Sequence, residues 1–368
     1  MIFKKIICLF GKILFFSKKT RIKKKEINKI KKIAVIKSGA IGDILMSTPF
    51  LRALRKRFPE VIIDYHIGKW SSAVLKNNPN ISRIFKYDDS YFHSRNIKNK
   101  INLIKIIRKK KYDLVFILDK SWLANLLVFF TGIKYRIGFN RFGEGFANTK
   151  NVKYGPLKHE IDYYLDLAKI VGASEKNKKL DLFVSKQDRL NVKKILNKIS
   201  NPIAIIPGGA KNPGGGVIES RRWPEKKFIE LIEKIPLKYT VLLLGGKSDL
   251  NYNNQILAKI KRKKVFNFAG KTTIHQSCEL MRRCKYVVCN DSGPMHIASA
   301  SGTKVISLFG PTNPKRKSPL TKGSIAIWKD RDIYDENIEI YGSEPKEKGY
   351  FKRINVENVL NVIKRIRY

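Results

Sequence analysis

Short apolar runs recur along the chain, and most end in a polar or glycine-bearing turn followed by a segment of helical period. Residues 33–37, 61–67, 81–87 and 112–118 read as strands, the last ending at Asp119. Helical signals fall between them: a segment through Leu51 and Leu54 to Phe58 with a start signal at Ser47-Thr48-Pro49, a short one at 71–77, and a basic one at 97–108. Residues 122–130 form an apolar helix too short to cross a bilayer, which takes about 20 residues. Residues 158–171 place Tyr163, Tyr164, Leu167 and Ile170 at core spacing, and a further helix is expected over 187–199. A second series follows, with strands at 203–206, 240–244, 265–268, 286–289 and 305–309, and helices at 224–235, 250–260, 274–283 and 297–301. Strands apolar on both faces that alternate with helices argue for parallel sheets covered on both sides.

The alternation predicts an α/β protein of two Rossmann-like domains facing an interdomain cleft, with ligands at the carboxyl ends of the strands. The expected boundaries are a basic amphipathic membrane-associating segment over 1–30, a first domain over 31–190 and a second over 191–368. The tail helix, 356–366, is expected to cross back onto the first domain.

Charge narrows the partners only after the pattern is read. The chain has 76 basic and 30 acidic residues, a net +46, which suits an anionic membrane, an acidic substrate or nucleic acid. The bases are spread along the whole chain and no nucleic-acid-binding motif accompanies them, so no nucleic-acid partner is expected. On a helical wheel Lys5, Cys8, Lys12 and Lys19 share one strip, while Ile6, Leu9, Phe10, Ile13 and Phe16 cover the remainder, backed by a polybasic stretch over 18–32. That composition suits an interfacial helix on an anionic membrane, the expectation taken here, or a helix that packs on the protein's own surface. The expected location is peripheral, on the cytoplasmic face of the cytoplasmic membrane. The four cysteines (Cys8, Cys278, Cys284 and Cys289) lack metal-ligand spacing and imply neither a disulfide framework nor a zinc site.

Candidate chemistry gathers where strands give way to turns. Ser38, Gly39 and Gly42 form a turn that ends at Asp43, a residue able to cap a helix or to serve as a general base. Residues 207–216 form a glycine-rich loop, with Gly208 and Gly209 able to bring backbone N–H groups to a diphosphate; it is neither a Walker loop nor G-x-G-x-x-G. Arg221 and Arg222 follow, and their guanidinium forks match phosphate oxygens. Asn290-Asp291-Ser292-Gly293-Pro294-Met295-His296 passes from strand to helix and offers a helix N-terminus to an anion. His296 is suited to touch a phosphate or to fasten the turn. Asp330-Arg331-Asp332 reads as solvated surface, and no metal is expected.

Three of these stretches together resemble the bacterial heptosyltransferases of glycosyltransferase family 9. They are Lys32-Lys-Ile-Ala-Val-Ile-Lys-Ser-Gly-Ala-Ile-Gly-Asp-Ile-Leu-Met-Ser-Thr-Pro-Phe-Leu-Arg-Ala-Leu-Arg55, Arg221-Arg-Trp-Pro-Glu225, and Asn290 to His296 continuing through Leu308-Phe-Gly-Pro-Thr312. The resemblance implies a GT-B fold and metal-independent, inverting sugar transfer without a cofactor. The implied substrates are a nucleotide-sugar donor, typically ADP-heptose, and a lipopolysaccharide core or other lipid-linked glycan acceptor. By motif position Asp43 matches the family's catalytic base, and Asp291, Ser292, Gly293 and His296 match the segment that holds the nucleotide diphosphate. Arg221 stands where the family usually carries a lysine, and Asp249 matches an acidic nucleoside contact. Sugar-nucleotide epimerases use the same two-domain fold, and conversion of the donor with no acceptor present would mark one.

Overall fold

The computed structural model describes residues 8, 11, 22–93, 96–211, 215–336 and 349–366. By their contacts the residues form two compact units, one ending at Lys178 and one beginning at Lys179, with Ile41–Leu45 grouped in the second. No described helix is long and apolar enough to cross a membrane. The amphipathic pattern of residues 1–21 lies outside the described residues except at Cys8 and Gly11, both buried.

In the first unit strands β1 (Lys32–Ile36), β2 (Ile62–Gly68), β3 (Arg83–Tyr87), β4 (Leu114–Ile117), β5 (Tyr135–Asn140) and β6 (Lys150–Lys153) form a sheet ordered β3-β2-β1-β4-β5-β6. Its strand pairs are parallel. The second unit repeats the plan with β7 (Pro202–Ile206), β8 (Thr240–Leu243), β9 (Val265–Asn267), β10 (Val287–Asn290), β11 (Val305–Phe309) and β12 (Ile325–Trp328), ordered β12-β11-β10-β7-β8-β9 and again parallel. Each sheet therefore reverses its winding once, between β1 and β4 and between β7 and β10. Helices diverge at that point and leave a crevice at the strands' carboxyl ends.

The central strands are wholly apolar because both faces are covered: Ile33, Val35, Ile203, Ile205, Val287 and Val305 are fully buried. The sequence pattern does not show β5, β6 or β12. Strand β5 carries Arg136 and Gly138 within it, and β6 is a half-exposed edge, Lys-Asn-Val-Lys, without alternation. Arg136 is buried because its guanidinium donates to the carbonyls of Ala147 (2.9 Å) and Ile133 (2.6 Å).

The described α-helices longer than four residues are α1 (Ile41–Met46), α2 (Thr48–Arg57), α3 (Ile97–Lys109), α4 (Trp122–Phe129), α5 (Glu160–Lys169), α6 (Lys186–Leu196), α7 (Glu225–Lys234), α8 (Leu250–Ala258), α9 (Ile274–Arg283), α10 (Gly293–Ser301) and α11 (Val356–Ile366). Residues 71–77, expected as a short helix, lie largely in a 3-10 turn, Lys69–Leu75. The units divide before α6 rather than after residue 190: buried Leu180, Leu182 and Val184 belong to the second unit, where α6 packs on α9. The closing helix α11, expected to cross back onto the first domain, lies in the second unit's own core. Its Val359, Leu360 and Ile363 sit with Trp223, Phe228 and Leu231, and the Trp223 indole donates to the carbonyl of Ile354 at 2.9 Å. A stripe of four buried apolar residues on one helical face is satisfied by the nearest uncovered sheet face.

The first unit buries a polar cluster behind its sheet. Tyr112 donates to Asp64 at 2.8 Å, Arg83 holds the same carboxylate at 3.0 and 3.1 Å, and both ring nitrogens of His66 bond tyrosine hydroxyls, Tyr87 at 2.7 Å and Tyr112 at 2.9 Å. Burial, with Lys110 and Lys32 nearby, pushes the His66 pKa down to about 3.

Candidate active site

In the second unit the turn after β10 is built from the sheet outward. Asn290 closes the strand and ties the switch point together: its Nδ2 donates to the Pro207 carbonyl at 2.8 Å, and its Oδ1 accepts the Trp223 N–H at 2.9 Å. Asp291 follows, its own N–H held by the Leu308 carbonyl of β11 at 3.0 Å. Its carboxylate Oδ2 accepts from Arg221 Nη2 at 2.6 Å and from Thr312 Oγ1 at 2.5 Å. The same Nη2 also donates to the Asp291 carbonyl at 2.6 Å. Burial raises the Asp291 pKa, but Arg221, Lys317, the Thr312 hydroxyl and His296 together outweigh it and hold the carboxyl below its ordinary value. Two buried atoms of this pair, Asp291 Oδ1 and Arg221 Nε, have no hydrogen-bond partner among the described residues. Ser292 then takes the N-cap position of α10, with Pro294 in the first turn and Gly302 ending the helix at φ +83°. The positive end of α10 stands beside the Asp291–Arg221 pair.

The loop after β7 meets this turn. Gly209 has φ +83°, and a Cβ there would lie 2.7 Å from Ser292 Oγ, so only glycine brings the backbone this close. A Cβ on Gly208 would sit 2.4 Å from Asp249 Oδ1. The reason is the placement of Asp249, whose Oδ1 accepts the Gly209 N–H and whose Oδ2 accepts the Gly246 N–H, each at 2.9 Å. Arg222 completes the brace. Its Nη2 donates to the Gly209 carbonyl at 2.9 Å and to Asp249 Oδ1 at 3.3 Å, and its guanidinium lies 4.9 Å from the Tyr252 ring centre. Asp249 and Arg222 thus hold two glycine turns in register, and the carboxylate of Asp249 is engaged through both oxygens.

Residues 41–45 also belong to this unit. Gly42 abuts the buried His296: a Cβ there would lie 2.4 Å from His296 Cδ2. A Cβ on Gly293 would lie 3.3 Å from Ile41 Cβ. Asp43, half-buried in the first turn of α1, is therefore one residue from the His296 contact.

The corresponding turn of the first unit, at Ser38 and Gly39, is held differently. Asp119, just beyond β4, accepts from Lys37 Nζ on Oδ1 and from both the N–H and the hydroxyl of Ser38 on Oδ2, all at 2.9 Å. Lys37 and Asp119 are both buried.

The family model described as glycosyltransferase family 9 (heptosyltransferase) matches residues 101–339. The chain belongs to this family. It is 29% identical over 309 residues to lipopolysaccharide heptosyltransferase 2 of Escherichia coli K12, covering 79% of this chain and 86% of that protein. It is 27% identical over 345 residues to lipooligosaccharide heptosyltransferase 2 of Haemophilus ducreyi, covering 88% and 94%. Its fold is similar to that of a family 9 glycosyltransferase from Veillonella parvula (TM-score 0.75, 23% identity, 91% of this chain and 97% of that one). It is similar too to E. coli ADP-heptose lipopolysaccharide heptosyltransferase II (TM-score 0.72, 24% identity, 91% and 98%). The protein is a glycosyltransferase with the GT-B fold.

Motif reading assigned no role to Thr312, Asn290 or Asp119. Thr312 was visible only as part of Gly310-Pro-Thr, and its bond to Asp291 follows from β11 lying beside β10. Asn290 and Asp119 are strand-end polar residues next to the winding reversal, a signal that needs the strand order to be useful. Asp330, expected at the surface, is instead buried and accepts the Phe351 N–H at 2.8 Å, while exposed Asp332 pairs with Arg353 at 2.7 Å. The apolar residues around Phe351 draw that turn inward, and Asp330 satisfies the buried N–H. Among the described residues no group of three His, Cys, Asp or Glu side chains is arranged to hold a metal ion, and the four cysteines are free and buried.

Proposed function

We propose that this family 9 glycosyltransferase transfers a heptose from ADP-heptose to the core of a lipopolysaccharide or similar lipid-linked glycan, in one inverting displacement. The observation that carries the donor half is the Asp291–Arg221 pair, fully formed yet with Asp291 Oδ1 and Arg221 Nε unpartnered among the described residues, beside the N-terminus of α10. The E. coli and H. ducreyi relatives, named as lipopolysaccharide and lipooligosaccharide heptosyltransferases, support the choice of sugar and acceptor.

In this scheme the acceptor hydroxyl attacks the anomeric carbon as its proton passes to the Asp43 carboxylate. The bond from that carbon to the diphosphate oxygen breaks, and ADP leaves with the electron pair. Backbone N–H groups around Gly208, Ser292 and Gly293, with Arg221 and the α10 dipole, stabilise the charge growing on the leaving diphosphate, while Gly209, its own N–H held by Asp249, lets the loop come close. Arg222 and Asp249 position the glycine turns, and His296 fastens α1 to α10 or touches the donor. Ser38 and Gly39 shape the acceptor side. The first unit binds acceptor and the second binds donor, the nucleotide sugar is a substrate, and no metal or organic cofactor is called for. The enzyme works at the cytoplasmic face of the membrane that carries its acceptor.

Asp43→Ala tests the reading: transfer is expected to fall by about 10²–10⁴ with ADP affinity unchanged. Undiminished turnover would overturn the base assignment.

A further inference from the structure

Helix α3 of the first unit is anchored from below and oddly furnished above. Leu103 and Ile107 are buried, and the Lys100 ammonium, itself buried, donates to the carbonyls of Tyr91 and Phe92 at 2.6 and 2.8 Å. The opposite face carries Ile97, 71% exposed, and Ile101, 45% exposed, one turn apart. Lys105 and Arg108 continue that line at helical spacing, with Lys98 and Lys109 beside it, all exposed. Arg108 Nη2 donates to the carbonyl of Phe130, a residue 45% exposed, so the strip runs on to the end of α4. Residues 97–111 hold seven bases and no acid.

Single exposed apolar residues are ordinary. A helix that exposes two isoleucines in line, continues into an exposed phenylalanine and flanks them with bases and asparagine but no acid matches the composition of an interfacial helix. Topology adds a reason. Helix α3 runs from β3 into β4, so Ile97 lies at the carboxyl-end edge of the sheet, the same edge as Ser38 and Asp119.

We infer that the α3 strip, Ile97–Ile101–Lys105–Arg108 with Phe130, is a docking surface for an anionic lipid bilayer, seating the first unit where a lipid-linked acceptor emerges. The isoleucines and Phe130 enter the headgroup layer, and the bases meet lipid phosphates, each worth about fivefold in partitioning at low ionic strength. The inference rests on the reading of a lipid-linked acceptor and uses residues other than those of the 1–30 pattern.

The test is sedimentation of the full chain with vesicles of phosphatidylglycerol and phosphatidylethanolamine, and with phosphatidylcholine alone. Wild type should pellet with the anionic vesicles and much less with the neutral ones. Ile97→Gln with Ile101→Gln should lower anionic partitioning about tenfold or more, and Lys98→Gln with Lys105→Gln should do so at low salt but little at high salt. Both variants should keep wild-type transfer to a water-soluble acceptor fragment, which also shows that they fold. Unchanged sedimentation of both variants would overturn the surface, as would equal loss on neutral vesicles. Loss of vesicle binding with no transfer by any form, wild type included, would instead count against the acceptor reading and leave the surface standing.

Discussion

The two units solve one geometric problem in two ways. Each sheet reverses its winding between its first and fourth strands, and each places an aspartate just past the fourth, Asp119 after β4 and Asp291 after β10. In the first unit the aspartate is consumed by its own turn: Lys37 neutralises one oxygen and Ser38 saturates the other. In the second, Arg221 and Thr312 share one oxygen, the other is left unpartnered among the described residues, and the facing loop is glycine drawn close by Asp249. A carboxylate engaged through both oxygens by its own turn is committed to holding that turn's shape. A carboxylate with capacity left over, beside a helix N-terminus and an arginine, is equipped to meet a ligand. The repeated fold thus supplies a site twice, and local bonding decides which copy keeps an acceptor for a sugar hydroxyl beside an arginine and a helix N-terminus that suit a phosphate.

Removing the aspartates should separate the copies most strongly. Asp291→Ala and Asp119→Ala each remove the carboxylate partner of a largely buried cation and should each cost about 3–5 kcal/mol in urea unfolding. ADP titration is then the discriminating measurement: affinity is expected to collapse in Asp291→Ala and to stay within about twofold in Asp119→Ala. Equal losses would erase the distinction between a structural and a ligand-bearing copy.

Acid should weaken the first unit through His66. Its folded pKa is about 3 against an ordinary value near 6.5, so the unfolded chain binds the extra proton between those values. The stability linked to this group is complete above about pH 6.5 and falls as pH drops toward 3, by a few kcal/mol at most. Urea unfolding at pH 7.5 and 4.5, followed by far-UV circular dichroism, should show an early transition at the lower pH. His66→Gln should reduce that shift, and an unchanged shift would exclude His66 as its source.

A smaller effect is expected from Gly209→Ala, where φ +83° and the approach to Ser292 Oγ both resist a side chain. Stability should fall by about 1–2 kcal/mol, with donor affinity reduced in step. Smallest is Ser38→Ala, which removes a hydroxyl bond to Asp119 but keeps the backbone one, for about 1–2 kcal/mol or less and no change in donor affinity by calorimetry.

Much of this was legible in residue order. Apolar, β-branched runs such as Val-Val-Cys before Asn290 had to be buried strands, and helix α11 was marked residue for residue by Val356, Val359, Leu360 and Ile363, because these patterns are local and repeat at the period of the element. The glycine turns at 38–43 and 207–216 and the run from Asn290 to His296 were visible for the same reason, and the family resemblance rested on them. The polar edge strand β6 and the glycine- and arginine-bearing β5 were not, since a strand made stable by its neighbours need not advertise itself.

What tertiary structure alone decided is which polar residue meets which. No spacing relates Arg221 to Asp291, 70 positions on, or Ser38 to Asp119, 81 positions on. Strand order brings those ends together, and hydrogen bonding then fixes each carboxylate's role. The same holds for Asp330, whose charged neighbours suggested surface until Phe351 needed a buried acceptor. Local sequence sets the elements because backbone preference and periodicity are short-ranged; burial and pairing are set by the sheet, because only the closed fold determines which groups lose their water.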